Sequence, residues 1–262
     1  MPIGPARMPL MDHLGELRRR FTIVVVSLLL TSVVIYFATP TLIDIMLDPI
    51  RTALPEGQDL TVISVLGGFT IRFKVAVFFG AIVCLPIIIW EIMGFILPAL
   101  RENERKWLVP TVAAMIALFF AGMLFCYLII QRAAFEWLLA QSYDFANVIA
   151  DAEDYLSIMM LLEIGFGVGF QMPLVIFYLS VLHVVPYKTF REQWRIIYVG
   201  LLTMVAMITP DGSPVTMLLM FAALVVLYEI ALAIARQVIV ARDGAEALRW
   251  SREEYEEHAF EE

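Results

Sequence analysis

The sequence predicts an all-α integral membrane protein with six transmembrane helices and both termini in the cytoplasm. Hydrophobic residues make up 61% of the 262 residues, whereas soluble domains are about 45–50% apolar. The mean hydropathy is +0.84, and the charged residues fall between long apolar runs. The six runs cover 21–43, 75–100, 107–131, 155–187, 196–210 and 212–235.

Five of these runs match the roughly 20 residues that a helix needs to cross a bilayer core about 30 Å thick. The fifth run, 196–210, is shorter and spans only about 22 Å as a helix. We therefore expect a thinned bilayer there or a helix that stops short. The link "TPDGSP" at 209–214 separates runs five and six, because its prolines and glycine interrupt a helix.

The orientation follows from the basic residues, which are enriched in cytoplasmic loops. If both termini share one side, that side holds 14 of the 18 lysines and arginines. The other four are Arg51, Arg72, Lys74 and Arg132. This asymmetry predicts cytoplasmic termini.

Shorter segments complete the predicted architecture. Leucines 10, 14 and 17 have helical spacing, so residues 9–21 are expected to form an amphipathic helix that leads into span one. The first two outer loops, about 38–70 and 132–154, are long enough for interfacial helices, and 40–47 has the proline start of one. Residues 1–240 form the predicted membrane domain, and 241–262 form an acidic cytoplasmic tail.

The sequence does not favour an enzyme, a cofactor or a metal site. Its three histidines, His13, His183 and His258, lie in different segments, and HExxH, GxSxG, CxxC and phosphate-binding glycine motifs are absent. Cys84 and Cys126 lie inside apolar runs and are interpreted as packing residues. The alternating glycines of "GFGVGF", at 165, 167 and 169, predict close helix packing.

Polar residues within spans are costly and often functional. Glu91 and Glu229 lie near the cytoplasmic ends of their spans, where they are expected to reach the interface or pair with an arginine. Glu163 and Gln171 lie deeper, and with Gly167 they repeat every four residues along one face of span four. That face suggests a water-accessible groove. The alternative is a protonated Glu163 that is hydrogen-bonded to a neighbouring helix.

Glu16 in "HLGELRRR" has two interpretations. It stands four residues before Arg20, and such a helical pair contributes about 0.3–0.5 kcal/mol. Alternatively, it forms a docking site for a cationic segment. A second cytoplasmic stretch, "ALRENERKW" at 99–107, similarly places Glu102 and Glu104 beside basic residues.

Four motifs give the chain a family resemblance. "MDHLGELRRR", "GFILPALRENERKWLVP", "FGVGFQMPLVIF" and "MITPDGSP" occur in this order among six predicted spans. In this arrangement, over about residues 8–235, the chain resembles the TatC family, the polytopic receptor subunit of the twin-arginine protein translocase. The resemblance implies a curved, glove-like arrangement of helices in a bacterial cytoplasmic membrane.

The resemblance also implies a function and a site. The expected protein binds the paired arginines of signal peptides through Glu16 and Glu104, since arginine forms bidentate hydrogen bonds with carboxylates. With single-span partners of the TatA or TatB type, it would export folded proteins in an oligomeric complex driven by the proton motive force, without nucleic acid. Further family positions, which shape the site, contact lipid headgroups or support activity, are matched by Arg18, Arg19, Arg105, Lys106, Pro49, Phe95 and Pro98.

The second half of the chain carries the remaining implied positions. Met207, Thr209 and the short spans five and six resemble the docking edge for the partner subunits, and Asp211 matches an acid of the last outer loop. Many relatives have a glutamate where this chain has Gln171. We expect Glu163, two turns toward the outer side, to take over that role and to lie on the transport pathway.

Two other classes of function compete with this interpretation. A secondary solute transporter would have repeated halves with broken helices at matching positions, and inspection of the sequence finds no such repeat. A purely structural scaffold would leave Glu16 and Glu104 replaceable. Binding of a twin-arginine peptide separates the three possibilities.

Overall fold

A computed structural model describes the chain over 10–51, 54, 60–96, 108–143, 150–181, 184–209, 212–250 and 254. Within these ranges the chain is helical, apart from turns and one isolated bridge between Thr61 and Asp151. The α-helices are α1 (Leu10–Tyr36), α2 (Thr39–Arg51), α3 (Gly67–Ile96), α4 (Leu108–Phe125), α5 (Gln131–Tyr143), α6 (Ala152–Gly169), α7 (Met172–Val181), α8 (Tyr187–Glu192), α9 (Trp194–Ile208) and α10 (Pro214–Asp243). A π-helical turn (Cys126–Ile130) joins α4 to α5, and a 3-10 helix (Glu246–Arg249) follows α10.

Five helical stretches in the described part of the chain are long and apolar enough to cross a membrane. They are Leu14–Tyr36, Gly67–Phe95, Val109–Gln141, Ala152–Val181 and Pro214–Asp243. The all-α membrane class and five of the predicted spans are therefore confirmed by length and composition. The remaining run forms α9, an apolar helix of only 15 residues, as its short sequence indicates. The description of span six as short was wrong, because α10 has 30 residues.

The first span ends earlier than predicted. α1 stops at Tyr36, a turn covers 37–38, and α2 begins at Thr39, so the predicted end of span one at residue 43 was wrong. Pro40 has no N–H group to continue the hydrogen bonding of α1. The Thr39 hydroxyl donates to the carbonyl oxygen of Tyr36 at 2.8 Å. The separate helix predicted over 40–47 is confirmed and extends to Arg51.

The third span ends later than predicted. Instead of a loop from residue 132, α5 continues the helix to Tyr143. Arg132 donates to Glu136 at 2.8 Å one turn away, so the charged residues sustain the helix instead of ending it. The first part of the predicted outer loop over 132–154 is therefore helical, and this loop was expected to be long enough for a helix.

The chain forms two compact units, and the first comprises Met1–Ala117 and Val148–Met160. In this unit α1 packs along α3, with Thr31 Oγ1 3.1 Å from Cys84 Sγ. The Tyr155 hydroxyl donates to the carbonyl oxygen of Met46 at 3.2 Å and holds α2. Lys74 donates to Glu153 at 2.9 Å, which neutralises a basic residue of α3.

The second unit comprises Leu118–Asn147 and Leu161–Glu262, and it is built on α10. Tyr228 of α10 is 1% exposed, and its hydroxyl donates to the carbonyl oxygen of Phe190 at 2.9 Å. A Cβ atom on glycine 165, 167 or 169 would lie within 2.8 Å of Ile208, Phe119 or Met220, respectively. The predicted close packing of these glycines is thus confirmed. Cys84 and Cys126 are both buried thiols, as predicted for packing residues.

The start of the predicted acidic tail is packed against the protein. α10 continues to Asp243, and Ala247 in the 3-10 helix is 4% exposed. It lies in a cluster with Val181, Ala235 and Ile239. The first part of the predicted tail therefore packs on the protein, because an apolar residue after the turn at Gly244 contacts the cluster between α7 and α10. Residues 251–253 and 255–262 lie outside the described residues.

Candidate functional site

The predicted amphipathic helix at the N-terminus is the first part of α1, which runs without interruption from Leu10 into span one. Because the motif "HLGELRRR" and the span belong to one helix, the positions of the motif's side chains are fixed relative to the span. Arg18 and Arg19 are exposed, whereas Glu16 and Arg20 are partly buried on the opposite side. The motif thus presents two arginines outward and one acid–base pair toward the protein.

Glu16 forms the ion pair that its spacing predicts. Arg20 Nε donates to Glu16 Oε1 at 3.0 Å, and Arg20 Nη2 donates to the same oxygen. Both side chains are 24% exposed. Because both hydrogen bonds end on Oε1, Glu16 Oε2 is available at a partly open surface of the described structure.

Arg20 also reaches across to the C-terminal end of α3. Its Nη1 atom donates to Glu91 Oε2 at 3.0 Å, and the Glu91 side chain is 15% exposed. The expected pairing of Glu91 with an arginine is therefore confirmed. Glu16, Arg20 and Glu91 form a cluster, here called the N-terminal triad, in which two carboxylates share one guanidinium. One negative charge within the triad is in excess.

Gly94 makes this reach possible. It lies one turn after Glu91 on α3, and a Cβ atom there would overlap Arg20 Nη1 and lie 2.9 Å from Arg20 Cζ. The guanidinium occupies the space that a side chain would fill. Sequence reasoning missed this contact, because local spacing does not relate residues that lie on two different helices.

Several residues implied by the family resemblance cannot be placed against the triad. Glu104, Arg105, Lys106, Pro98 and Asp211 lie outside the described residues. Pro49 and Phe95 are partly buried, in α2 and at the end of α3, respectively.

Glu163 lies in the interior of the second unit. It is 6% exposed, and Gln131 Nε2 donates to Glu163 Oε1 at 2.7 Å. Gln131 is fully buried, and its own Oε1 has no partner among the described residues. In this structure the Glu163 carboxyl group is therefore buried and hydrogen-bonded to a neighbouring helix, the contact that the alternative to a water-accessible groove requires.

The π-helical turn accounts for the position of Gln131. The N–H group of Gln131 bonds to the carbonyl oxygen of Cys126, five residues earlier. The extra residue in the turn shifts the helical phase of α5, so a polar residue is directed into the core. π-Helical turns often occur at functional sites.

Gln171 differs from Glu163 in its surroundings. It is only partly buried, in the turn between α6 and α7, and its Nε2 atom donates to the carbonyl oxygen of Gly167 at 3.3 Å. The two polar residues of span four therefore do not share one environment.

The remaining polar residues lie in the last helices. Glu229 accepts hydrogen bonds from Arg191 at 2.7 Å and from the Tyr198 hydroxyl at 3.1 Å, which confirms its expected pairing. Thr209 is 8% exposed and donates to the carbonyl oxygen of Val205, while Met207 is 83% exposed. Of these predicted docking residues, only Met207 is open to a partner in the described structure.

The described residues offer no group of three or more histidine, cysteine or acidic side chains that could hold a metal ion.

Comparison with known proteins identifies the family. The family model of the Sec-independent protein translocase protein TatC matches residues 12–222. The TatC proteins of Carboxydothermus hydrogenoformans and Aquifex aeolicus are each 30% identical to this chain, over 87% and 86% of it, respectively, and 93% of their own length. A crystal structure described as the twin arginine translocase receptor TatC superposes with a TM-score of 0.72 at 28% identity, covering 86% of this chain and 99% of the other. The chain therefore belongs to the TatC family and is an integral membrane component of a protein translocase.

Proposed function

We propose that this chain is the signal-peptide receptor of a twin-arginine translocase in a bacterial cytoplasmic membrane. The observation that carries the proposal is the partly exposed Glu16 in an N-terminal triad with an excess negative charge. A carboxylate accepts up to about four hydrogen bonds, and Arg20 uses one oxygen of Glu16. The free oxygen and the unbalanced charge suit a guanidinium group of a signal peptide.

Glu104 supplies the second carboxylate of the proposed site, on the basis of the family resemblance. Two acids on separate cytoplasmic segments suit a peptide with two consecutive arginines, one for each acid. Arg18, Arg19, Arg105 and Lys106 would shape the rim and contact lipid headgroups, whose phosphates attract basic side chains. Pro49, Phe95 and Pro98 would maintain the helix geometry around the site.

The proposed partners are single-span subunits of the TatA or TatB type, with which the receptor exports folded proteins using the proton motive force. α9 supports this proposal, because Met207, Val199 and Ile196 are more than 60% exposed along a helix of only 15 residues. An apolar helix too short for the bilayer favours contact with another helix. Asp211 and Thr209 would lie at that edge.

A peptide-binding experiment tests the receptor function. Glu16→Ala and Glu104→Ala are each expected to weaken binding of a twin-arginine peptide by about tenfold or more, since hydrogen bonds between charged groups contribute about 1.5–3 kcal/mol. Glu16→Gln should be intermediate, because it keeps an acceptor and loses the charge. Binding is measured by fluorescence anisotropy of a labelled peptide with the purified protein in nanodiscs.

Glu136→Ala is the matched control for this experiment. Glu136 also forms an ion pair with an arginine four residues away, but that pair is exposed on α5. Its loss should leave the affinity unchanged. If both the Glu16 and Glu104 alanine variants bind as tightly as the parent, the chain does not receive arginines at these acids.

The proposed topology has six spans, with α9 as the short fifth span and both termini in the cytoplasm. A reporter that is active only outside the cytoplasm should be active when fused after residue 57 or 148, and silent after 103 or 190, as the basic residues require. The readout is enzymatic activity per amount of fusion protein. Activity at 103 would contradict the six-span topology.

A further inference from the structure

Arg20 already occupies Oε1 of the Glu16 carboxylate, so a peptide arginine that bonds to both oxygens of Glu16 must displace it. The Nε and Nη2 atoms of Arg20 both donate to Glu16 Oε1, and its Nη1 atom donates to Glu91 Oε2. These are the donors that an arginine of a signal peptide would present. Arg20 and the peptide therefore bring the same chemical group to Glu16.

The charges of the N-terminal triad make such an exchange possible. With Arg20 alone, one negative charge of the two carboxylates stays unbalanced. A second guanidinium, from the peptide, balances this charge if Arg20 moves toward Glu91 and the peptide guanidinium binds Glu16. Because Glu91 already holds Arg20 by Nη1 at 3.0 Å, Arg20 keeps an acidic partner throughout and is not left as a like charge beside the peptide.

We propose that Arg20 is an internal occupant of the receptor site, which a signal-peptide arginine displaces from Glu16 while Glu91 retains it. This inference rests on the proposed receptor function. Arg20 thereby acts as a positioning residue that sets the affinity for the peptide. Exchange of one guanidinium for another favours arginine in the peptide over lysine, since an ammonium group lacks the planar fork that replaces both bonds to Glu16.

Gly94 leaves the space in which the Arg20 guanidinium lies, and a substitution at Gly94 tests the proposed role of Arg20. A Cβ atom at this position meets only the flexible end of Arg20 among its nearest neighbours, through Nη1, Cζ and Nη2. Gly94→Ala should therefore shift the guanidinium without moving backbone, and an alanine favours the helix over glycine. The Gly94→Ala variant should therefore keep α3 folded and weaken the hydrogen bonds of Arg20 within the triad.

The experiment measures the affinity of a labelled twin-arginine peptide for the full-length protein in nanodiscs. Gly94→Ala and Arg20→Gln are each expected to tighten binding by about two- to fivefold, because a partly exposed ion pair that competes with the peptide is weakened or removed. Gly68→Ala is the control: it lies on the same helix, its Cβ meets nothing within 4 Å, and the affinity should not change. A twin-lysine peptide should gain less than the twin-arginine peptide does.

The outcomes separate this inference from the receptor function on which it rests. Unchanged or weaker binding in both Gly94→Ala and Arg20→Gln, together with binding that still depends on Glu16, overturns the role of Arg20 as an occupant and leaves the receptor function intact. Binding that does not respond to Glu16→Ala overturns both. Thermal unfolding of each variant confirms that the compared proteins are folded.

Discussion

A Glu163→Leu variant is expected to be less stable than the parent and defective in export of a folded cargo. Glu163 is the partner of Gln131 Nε2 at 2.7 Å, and both side chains are buried. With leucine at 163, the Gln131 side-chain amide has no hydrogen-bond partner among the described residues. An unsatisfied buried polar group costs about 1–3 kcal/mol.

A double-mutant cycle isolates this pair. The Gln131→Leu/Glu163→Leu variant should recover most of the lost stability, because replacing both partners by apolar groups of similar size can be nearly neutral. The four proteins are compared by thermal unfolding in one detergent. Equal losses in the Glu163 variant and the double variant would contradict an energetic coupling between the two side chains.

Glu163→Gln separates packing from transport. The amide keeps an acceptor for Gln131 and nearly the same shape, but it carries no ionisable proton. This variant should be stable and defective in export if the carboxyl group belongs to the transport pathway. Export of a folded, twin-arginine-directed reporter at the parental rate by Glu163→Gln would remove the carboxyl group from the mechanism. The same result with the stable double variant would lead to the same conclusion.

Gly122→Val is expected to destabilise the second unit by about 3 kcal/mol, the upper part of the usual range for overpacking. A Cβ atom at Gly122 would lie 2.6 Å from the carbonyl oxygen of Phe166 and 2.9 Å from the Phe170 ring. The first contact is with backbone, so α4 and α6 must separate to relieve it. The expected result is an unfolding temperature lower by roughly 6–12 °C and less protein in the membrane.

Gly200→Val is the matched control, since a Cβ atom on this glycine of α9 meets nothing within 4 Å. Valine is also a better helix former than glycine, so this variant should be at least as stable as the parent. Equal unfolding temperatures for the two valine variants would show that the close approach at Gly122 is not needed for packing.

Local patterns predicted those features that depend on neighbours along the chain. Hydropathy located the five long spans and the short α9, because insertion into a bilayer depends on the summed transfer energy of about 20 consecutive residues. Helical spacing predicted the helix at the start of α1 and the ion pair between Glu16 and Arg20. The alternating glycines of α6 predicted close packing without identifying which side chains they contact.

The ends of helices were less predictable. The apolar run of span one continues beyond Tyr36, so hydropathy alone does not predict the end of α1. The helix ends there because a turn precedes Pro40. In the third span the polar residues from Gln131 onward suggested the end of the span, yet the helix continues to Tyr143 and includes the ion pair between Arg132 and Glu136. Hydropathy measures transfer into the membrane and does not measure the stability of a helix that leaves it.

The sequence by itself determined the class of this protein, its long apolar spans and its family. Only the tertiary structure decided which side chains bind Glu91 and Glu163. Glu91 lies 71 residues from Arg20, and Glu163 lies 32 residues from Gln131. Both pairs depend on how helices pack against each other. The periodicity of residues within one segment does not determine this packing. The glycine at 94 and the π-helical turn before Gln131 bring these polar groups within bonding distance, because each changes where one helix can place a side chain against another.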